Sequence, residues 1–205
     1  RERDIGRVEV RKEVGRSRAQ RREGQRGEHR RGPQQCVGGS TKKTTFTRDM
    51  ADELISRAID AARAVDGSLL VTTSRRTGPE NEELIAERLA ASGLGYHLHD
   101  WTSQDENPYF GYLALADVLI VTGDSVSMCC EAAAAPGGVY IYAPDGLASE
   151  RHQRLHQSLY DGDYARPMQT GTELVPFRHP SLQPARLVAQ RCLELLRATE
   201  HQDSI

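Results

Sequence analysis

Three short runs of consecutive apolar residues most constrain the fold of this chain. They read SLLVTT, DVLIVT and VYIYA, at residues 68–73, 117–122 and 139–143. A strand that is apolar at nearly every position, and not only at alternate ones, is typical of a parallel sheet covered on both faces. The three runs therefore predict a buried parallel β-sheet with helices on each side.

Amphipathic stretches between the apolar runs predict the covering helices. Residues 47–65 place apolar side chains at helical spacing. Residues 79–92 begin with Pro79 and stop just before Gly93, as helices commonly do. We expect a further short strand at residues 96–99 and helices at residues 109–116, 125–135, 149–160 and 182–198. This alternation predicts an α/β fold, a doubly wound, Rossmann-like parallel sheet.

The first 35 residues differ in composition from the rest of the chain. They hold 12 Lys and Arg against 6 Asp and Glu, and the remaining residues hold 15 against 23. With almost no large apolar side chain, the segment cannot bury enough surface to offset the entropy lost on ordering. We expect a disordered basic arm at residues 1–35 and one domain at residues 36–205. Because the arm lacks interleaved aromatic residues and the domain is acidic, we expect no nucleic-acid partner.

Cysteine spacing and hydropathy bear on the location of the protein. The cysteines form no C-x-x-C pair, and we interpret the adjacent Cys129 and Cys130 as buried thiols in a reducing compartment. No apolar run in the sequence approaches the length of a membrane span, and none follows the N-terminal charges as in a signal peptide. We therefore expect a cytoplasmic protein without a membrane span.

Two histidines, His152 and His156, stand four residues apart, a spacing that can bind a metal on a helix. The glutamate of an H-E-x-x-H motif is missing, and the sequence offers no nearby third ligand. We therefore predict no metal site, and no sequence motif indicates a cofactor.

Ligands of doubly wound sheets bind beyond the carboxyl ends of the strands, so the loops at that edge are candidate sites. The first such loop is VGGSTKK at residues 37–43, with candidate residues Gly38, Gly39, Ser40 and Thr41. Glycine N–H groups, hydroxyls and lysines suit an anion, but an ordinary glycine turn is at least as common. Since RRGPQQC precedes the loop, we predict that no apolar strand leads into it.

The second candidate loop is TTSRRT, at residues 72–77. Ser74, Arg75 and Arg76 follow a predicted buried strand, and two adjacent arginines there fit a clamp on phosphate or pyrophosphate. A solvated pair of surface charges is the alternative, and sequence alone slightly favours it.

The third candidate loop is DWTSQDENPYFGY, at residues 100–112. Asn107 and the proline after it signal a turn. Tyr109 and the neighbouring aromatic residues suit stacking on a nucleobase, although packing in the core is the more common role of such a cluster.

The fourth candidate lies in LIVTGDSVSMCCEAAAAPGG, which begins at residue 119. Asp124 stands where a helix N-cap is expected, and Ser125 and Ser127 bring hydroxyls to the positive end of the helix. Glu131 lies two turns further on the same face and can accept hydrogen bonds from ribose hydroxyls. The alternative is a capped helix with one satisfied glutamate.

Taken together, VGGSTKKTTFT, LLVTTSRRT, ENPYFGYLALADVLIVTGDSVSMCCEA and LHQSLYDGDYARPM occur in this order over about residues 37–200. They closely resemble the mitochondrial-fission family named for plant elongated mitochondria, which has bacterial members. That family in turn looks like the nucleotide-binding half of GT-B glycosyltransferases. The resemblance implies the C-terminal half of a GT-B-like fold.

The resemblance also implies roles for the candidate residues. Phosphate would contact the glycine loop and the start of the 125–135 helix, with the arginine pair assisting: Gly38, Gly39, Ser40, Thr41, Ser125, Ser127, Arg75 and Arg76. Glu131 would hold the ribose. The implied partner is a nucleoside diphosphate or a nucleotide-sugar, and an enzyme of this kind would be a metal-independent GT-B-type glycosyltransferase.

Two functions from different classes follow from this resemblance. The first is a nucleotide-sugar-binding domain of a GT-B-like glycosyltransferase, and the alternative is a non-catalytic adaptor that recruits a membrane-remodelling GTPase. A complete family member would carry a Rossmann-like domain before residue 37. We therefore expect a truncated or frame-shifted product that is inactive alone and needs the missing N-terminal domain, or a second copy of itself, as partner.

Overall fold

The computed structural model describes residues 34–36, 45–183, 185–186 and 188–194. Strands and helices alternate along these residues as β1 Gln34–Cys36, α1 Arg48–Ala64, β2 Leu69–Thr72, α2 Pro79–Ala91, β3 Tyr96–His99, α3 Tyr109–Leu115, β4 Val118–Thr122, α4 Val126–Ala134, β5 Gly138–Tyr142, α5 Glu150–Asp161 and β6 Arg166–Pro167. Residues 185–186 and 188–194 are also helical. They fall inside the helix predicted at residues 182–198. Residues 182–183 are described and are not helical, so the predicted start is too early, and residues 184, 187 and 195–198 lie outside the described residues.

In the described part of the chain, six strands form one sheet in the order β3-β2-β1-β4-β5-β6. Every neighbouring pair is parallel. This is the strand order of a doubly wound Rossmann-type sheet, which confirms the predicted fold class. Each helix and strand predicted between residues 47 and 161 is present, with ends that differ by at most one residue. Of the disordered arm predicted at residues 1–35, residues 1–33 lie outside the described residues, and Gln34 and Gln35 belong to β1.

Two strands were not predicted from the sequence, and one of them, β1, leads into the 37–43 loop with a largely polar sequence, whereas the prediction concerned only an apolar strand. Gln35 of β1 pairs with Val71 of β2 on one side and with Ile120 of β4 on the other. The strand is only three residues long and its sequence is QQC, so hydrophobic patterning cannot detect it. The second unpredicted strand, β6, has two residues and ends in Pro167 at the sheet edge, where proline is tolerated.

The sheet is covered on both faces, as its continuous apolar strands predict. Along β4, Val118 and Ile120 pack with α1 and α2 in one core cluster. The alternate residues Leu119 and Val121 pack with α3, α4 and α5 in the second cluster. Since side chains of a strand alternate between faces, a strand buried on both faces has to be apolar throughout.

The two helices after β1 and β2 begin at defined caps. Thr47 caps α1 by accepting a hydrogen bond from the Met50 N–H at 3.2 Å. Gly78 precedes α2 with a φ of 83°, which favours glycine. Both helices therefore start at the carboxyl edge of the sheet. Within the described residues, no helix combines the length and apolar character needed to cross a membrane.

A close approach between backbones near the amino end of β5 generates a stability prediction. A Cβ built on Gly137 would overlap the Ala116 carbonyl oxygen. We expect Gly137→Ala to lower the free energy of unfolding by about 1–3 kcal/mol, because backbone has to move to admit a methyl group. Urea denaturation would measure the change.

The matched control is Gly111→Ala, inside α3, where a built Cβ has nothing within 4 Å. Alanine is the better helix former, so this change should raise the free energy of unfolding by about 0.5–1 kcal/mol. A neutral or stabilising Gly137→Ala would contradict the close approach.

Candidate functional site

The strand order reverses between β1 and β4, and doubly wound sheets bind ligands at this point, beyond the carboxyl ends of the strands. Loops leave β1, β2 and β4 at this edge. The predicted phosphate contacts Gly38, Gly39, Ser40 and Thr41 follow β1 and lie outside the described residues. The loops after β2 and β4 are described, and an ion pair joins them.

This ion pair connects Arg76, after β2, with Asp124, after β4. Arg76 Nη2 lies 3.2 Å from Asp124 Oδ2, the Asp124 side chain is fully buried, and the Arg76 side chain is 37% exposed. A buried carboxylate is costly unless a cation and hydrogen bonds compensate it. Asp124 therefore holds the Arg76 guanidinium across the end of β1. Part of the Arg76 side chain stays open to solvent. Arg75 is exposed, so the two arginines differ in role.

The prediction that Asp124 caps α4 is wrong. Ser125 is the N-cap, and its hydroxyl accepts a hydrogen bond from the Met128 N–H at 3.5 Å. Because the helix starts one residue later than an Asp124 cap requires, Asp124 turns toward the core and pairs with Arg76. Ser127, in the first turn of α4, is exposed.

The turn after β2 is fixed by its own hydrogen bonds. The Thr77 N–H donates to the Ser74 carbonyl at 2.8 Å, and the Arg76 N–H donates to the Ser74 hydroxyl at 3.3 Å. The buried Asn81 amide donates to the Phe46 and Thr77 carbonyls, both at 3.0 Å. Ser74 therefore shapes the turn that presents Arg76, and Asn81 ties this turn to the segment before α1.

A cavity of about 450 Å³ lies at this edge of the sheet. It is lined by Phe46, Thr47, Arg48, Arg76, Thr77, Gly78, Pro79, Glu80 and Asn81. The first turns of α1 and α2 and two guanidinium groups border it, and this arrangement favours an anion. Sequence reasoning missed Arg48 and Asn81, because only the fold brings the two helix starts together.

A second polar group lies between α3 and α4. The Tyr109 hydroxyl donates to Glu131 Oε2 at 2.6 Å, and Glu131 is half-buried. Asn107 Oδ1 accepts a hydrogen bond from the Tyr109 N–H at 3.0 Å. The structure thus brings together Asn107, Tyr109 and Glu131, whereas Arg76 and Asp124 form a separate pair.

The aromatic residues of the third candidate loop divide between core and surface. Tyr112 is buried and its hydroxyl contacts His97 Nδ1. Phe110 and Trp101 are exposed, and the Phe110 ring lies edge-on to Tyr109 with 5.1 Å between centroids. Tyr112 therefore packs in the core, whereas Phe110 and Trp101 face solvent, and stacking on a nucleobase stays a prediction.

One member of the histidine pair, His156, has a structural role. His156 is buried and its Nε2–H donates to the Gly123 carbonyl at 2.9 Å. A Cβ built on Gly123 would lie 2.6 Å from His156 Cε1, so glycine is required before Asp124. Among the described residues, no group of three side chains is arranged to hold a metal ion. His156 supports the backbone of the β4–α4 loop from behind.

Burial also sets the proton affinity of groups beneath this loop. Burial lowers the pKa of His156, the hydrogen bond to Gly123 opposes this, and nearby His152 adds to it. Burial raises the pKa of Cys129 to about 12, so this thiol is protonated at neutral pH and unreactive.

The sheet order and the polar loops define a doubly wound α/β domain whose carboxyl edge carries the Arg76–Asp124 ion pair and a cavity beside Arg76. A family model described as mitochondrial fission ELM1 matches residues 16–196. The chain therefore belongs to that family. The match begins inside the segment that composition assigns to the basic arm.

Two curated proteins are similar to this chain in sequence. An uncharacterised protein of Rickettsia prowazekii is 30% identical over 158 residues, which are 75% of this chain and 44% of that protein. The mitochondrial fission protein ELM1 of Arabidopsis thaliana is 30% identical over 109 residues, 53% of this chain and 25% of that protein. This chain thus spans less than half the length of either relative. Among solved structures, MurG of Acinetobacter baumannii aligns with a TM-score of 0.46 and 18% identity, over 73% of this chain and 41% of MurG.

The Arg76–Asp124 ion pair generates a second stability prediction. We expect Arg76→Ala to lower the free energy of unfolding by about 1–3 kcal/mol, because it removes the cation beside a buried carboxylate. The control Arg75→Ala changes an exposed side chain and should stay within about 0.5 kcal/mol. Adding Asp124→Asn to Arg76→Ala should recover part of the loss. Equal effects of the two arginine changes would contradict the role of Arg76.

The buried His156 generates a prediction about pH. The unfolded chain binds a proton near pH 6.5, the ordinary histidine value, and the folded chain does so at lower pH. Below about pH 6.5, the unfolded state therefore takes up the proton first, and stability falls until the folded pKa is reached. We expect His156→Gln to lose less stability than the wild type between neutral pH and about pH 5 in urea titrations. Parallel losses in both proteins would contradict this.

Proposed function

We propose that the crevice at the carboxyl edge of the sheet binds a nucleoside diphosphate or a nucleotide-sugar. The observation that carries the proposal is the Arg76 guanidinium, which a fully buried Asp124 holds at 3.2 Å across the switch point of the sheet. An arginine fixed on one side and accessible on the other suits a ligand with phosphate oxygens.

Phosphate binding has two further sources of support. The cavity beside Arg76 is bordered by the first turns of α1 and α2 and by Arg48, and helix N-termini attract anions. The exposed Ser127 lies in the first turn of α4, after the Ser125 cap. We assign the diphosphate to this region.

We assign the ribose to Glu131. One of its carboxylate oxygens accepts from Tyr109, which leaves acceptor positions on the carboxylate for ligand hydroxyls. Glu131 lies four residues after Ser127 in α4, so about 6 Å of helix separates it from this proposed phosphate contact. That separation fits the distance between the diphosphate and the far hydroxyls of one nucleotide.

For the reaction, we propose transfer of a sugar from a nucleotide-sugar donor by a GT-B-type mechanism. The donor diphosphate would leave with its charge stabilised by Arg76 and by helix N-termini. The resemblance to GT-B enzymes implies that the acceptor site and the catalytic base come from a second domain, so donor binding is the part assigned to these residues. No contact among the described residues favours the adaptor alternative.

The test measures the thermal stability of the full chain with UDP, GDP, ADP, CMP and their sugar conjugates. We expect one nucleotide class to raise the melting temperature, since a ligand at 100 times its Kd stabilises by about 2.7 kcal/mol. Glu131→Ala should abolish most of the shift. Glu87→Ala, an exposed glutamate of α2, is the control and should retain it. A folded chain that responds to no nucleotide would contradict the proposal.

A further inference from the structure

Tyr109 and Glu131 form a hydrogen bond, but their surroundings restrain the two side chains to different degrees. The Tyr109 backbone is restrained independently of Glu131. Asn107 Oδ1 accepts a hydrogen bond from the Tyr109 N–H at 3.0 Å, and Pro108 occupies the N-cap of α3. The Tyr109 ring packs against the second core cluster and edge-on to Phe110. Its hydroxyl is therefore presented from a rigid base.

Glu131 has no comparable restraint from its own backbone, because a glutamate side chain on a helix has three rotatable bonds. The 2.6 Å distance from the Tyr109 hydroxyl to Oε2 is that of a hydroxyl bound to a carboxylate. This bond selects one orientation of the carboxylate. The second oxygen, Oε1, then points in a direction that Tyr109 determines.

We propose that Tyr109 is a positioning residue that makes the site selective for ribose over deoxyribose. This inference depends on the proposed function, because it concerns the sugar of the bound nucleotide. A carboxylate held in one orientation can accept hydrogen bonds from two adjacent hydroxyls at once. A site built to bind a hydroxyl rejects the analogue that lacks it, since the polar group is left unpaired.

A purely structural role for the Tyr109–Glu131 bond makes a different prediction. If the bond only tied α3 to α4, its loss would loosen the site and weaken the binding of ribonucleotides and deoxynucleotides alike. If Tyr109 positions Glu131, loss of the bond would weaken the binding only of the nucleotide that carries both ribose hydroxyls. The ratio of the two affinities therefore separates the two roles.

The experiment uses the full chain and calorimetric titration with ADP, GDP and UDP, each compared with its 2′-deoxy counterpart. For the nucleotide that binds, we expect the wild type to prefer the ribose form by about 10- to 100-fold. Tyr109→Phe should reduce that preference to about threefold or less, with the Kd of the deoxy form unchanged within about twofold. Glu131→Gln should reduce the preference similarly.

The matched control is Tyr112→Phe, on the same helix, whose hydroxyl contacts His97 Nδ1. It should leave the ribose preference intact. Equal weakening of both sugar forms in Tyr109→Phe, or an unchanged preference, would overturn the inference and leave nucleotide binding standing. Binding of no nucleotide by the folded wild type would overturn the proposed function and this inference together.

Discussion

A parallel sheet packed on both faces leaves its central strands no side open to water. Polar groups on β4 and β5 are therefore restricted to strand ends or have to find partners inside the protein. Tyr140 and Tyr142 of β5 illustrate the second case, since their hydroxyls donate to the Val175 carbonyl at 2.9 Å and to Glu53 at 2.8 Å. Because side chains within the strands are buried, the residues that can contact a ligand lie on the loops at the carboxyl edge of the sheet.

Asp124 is a carboxylate that this edge of the sheet buries. Burying a carboxylate favours no fold by itself, and removing its partner costs more than the pair contributes. Asp124 instead fixes the geometry of the edge, because it holds Arg76, which lies on a loop that follows a different strand. His156 fixes the same loop from the opposite side through Gly123. The loop between β4 and α4 is thus held by one charged and one neutral contact.

Much of the fold was predictable from the sequence, and the reason is physical. The apolar runs of β2, β4 and β5 and the apolar stripe of α1 are direct consequences of burial, so they identify these elements almost to the residue. β1 could not be found in this way, because its sequence is QQC and its place between β2 and β4 depends on backbone pairing.

The candidate site was predictable only in part. Arg76, Asp124 and Glu131 stand out because charged residues near buried strands or alanine-rich faces require an explanation. The pairing of Arg76 with Asp124, 48 positions later in the chain, and the approach of Arg48 to the start of α2 follow from topology and not from spacing. Tyr109 was identified as an aromatic candidate, whereas its hydrogen bond to Glu131 emerged only from the packing of α3 on α4.

The central position of β1 also bears on how the domain assembles. β2 and β3, with α1 and α2, form one half of the sheet, and β4 to β6, with α3 to α5, form the other. β1 pairs with a strand of each half, since Gln34 is opposite Leu70 on one side and Leu119 on the other. The pairing with Leu119 closes a longer loop, and so costs more chain entropy, than any strand pairing within a half. The packing of α1 against β4 and β5 joins the halves over similar or longer separations in sequence, so the short β1 and the long α1 share this task.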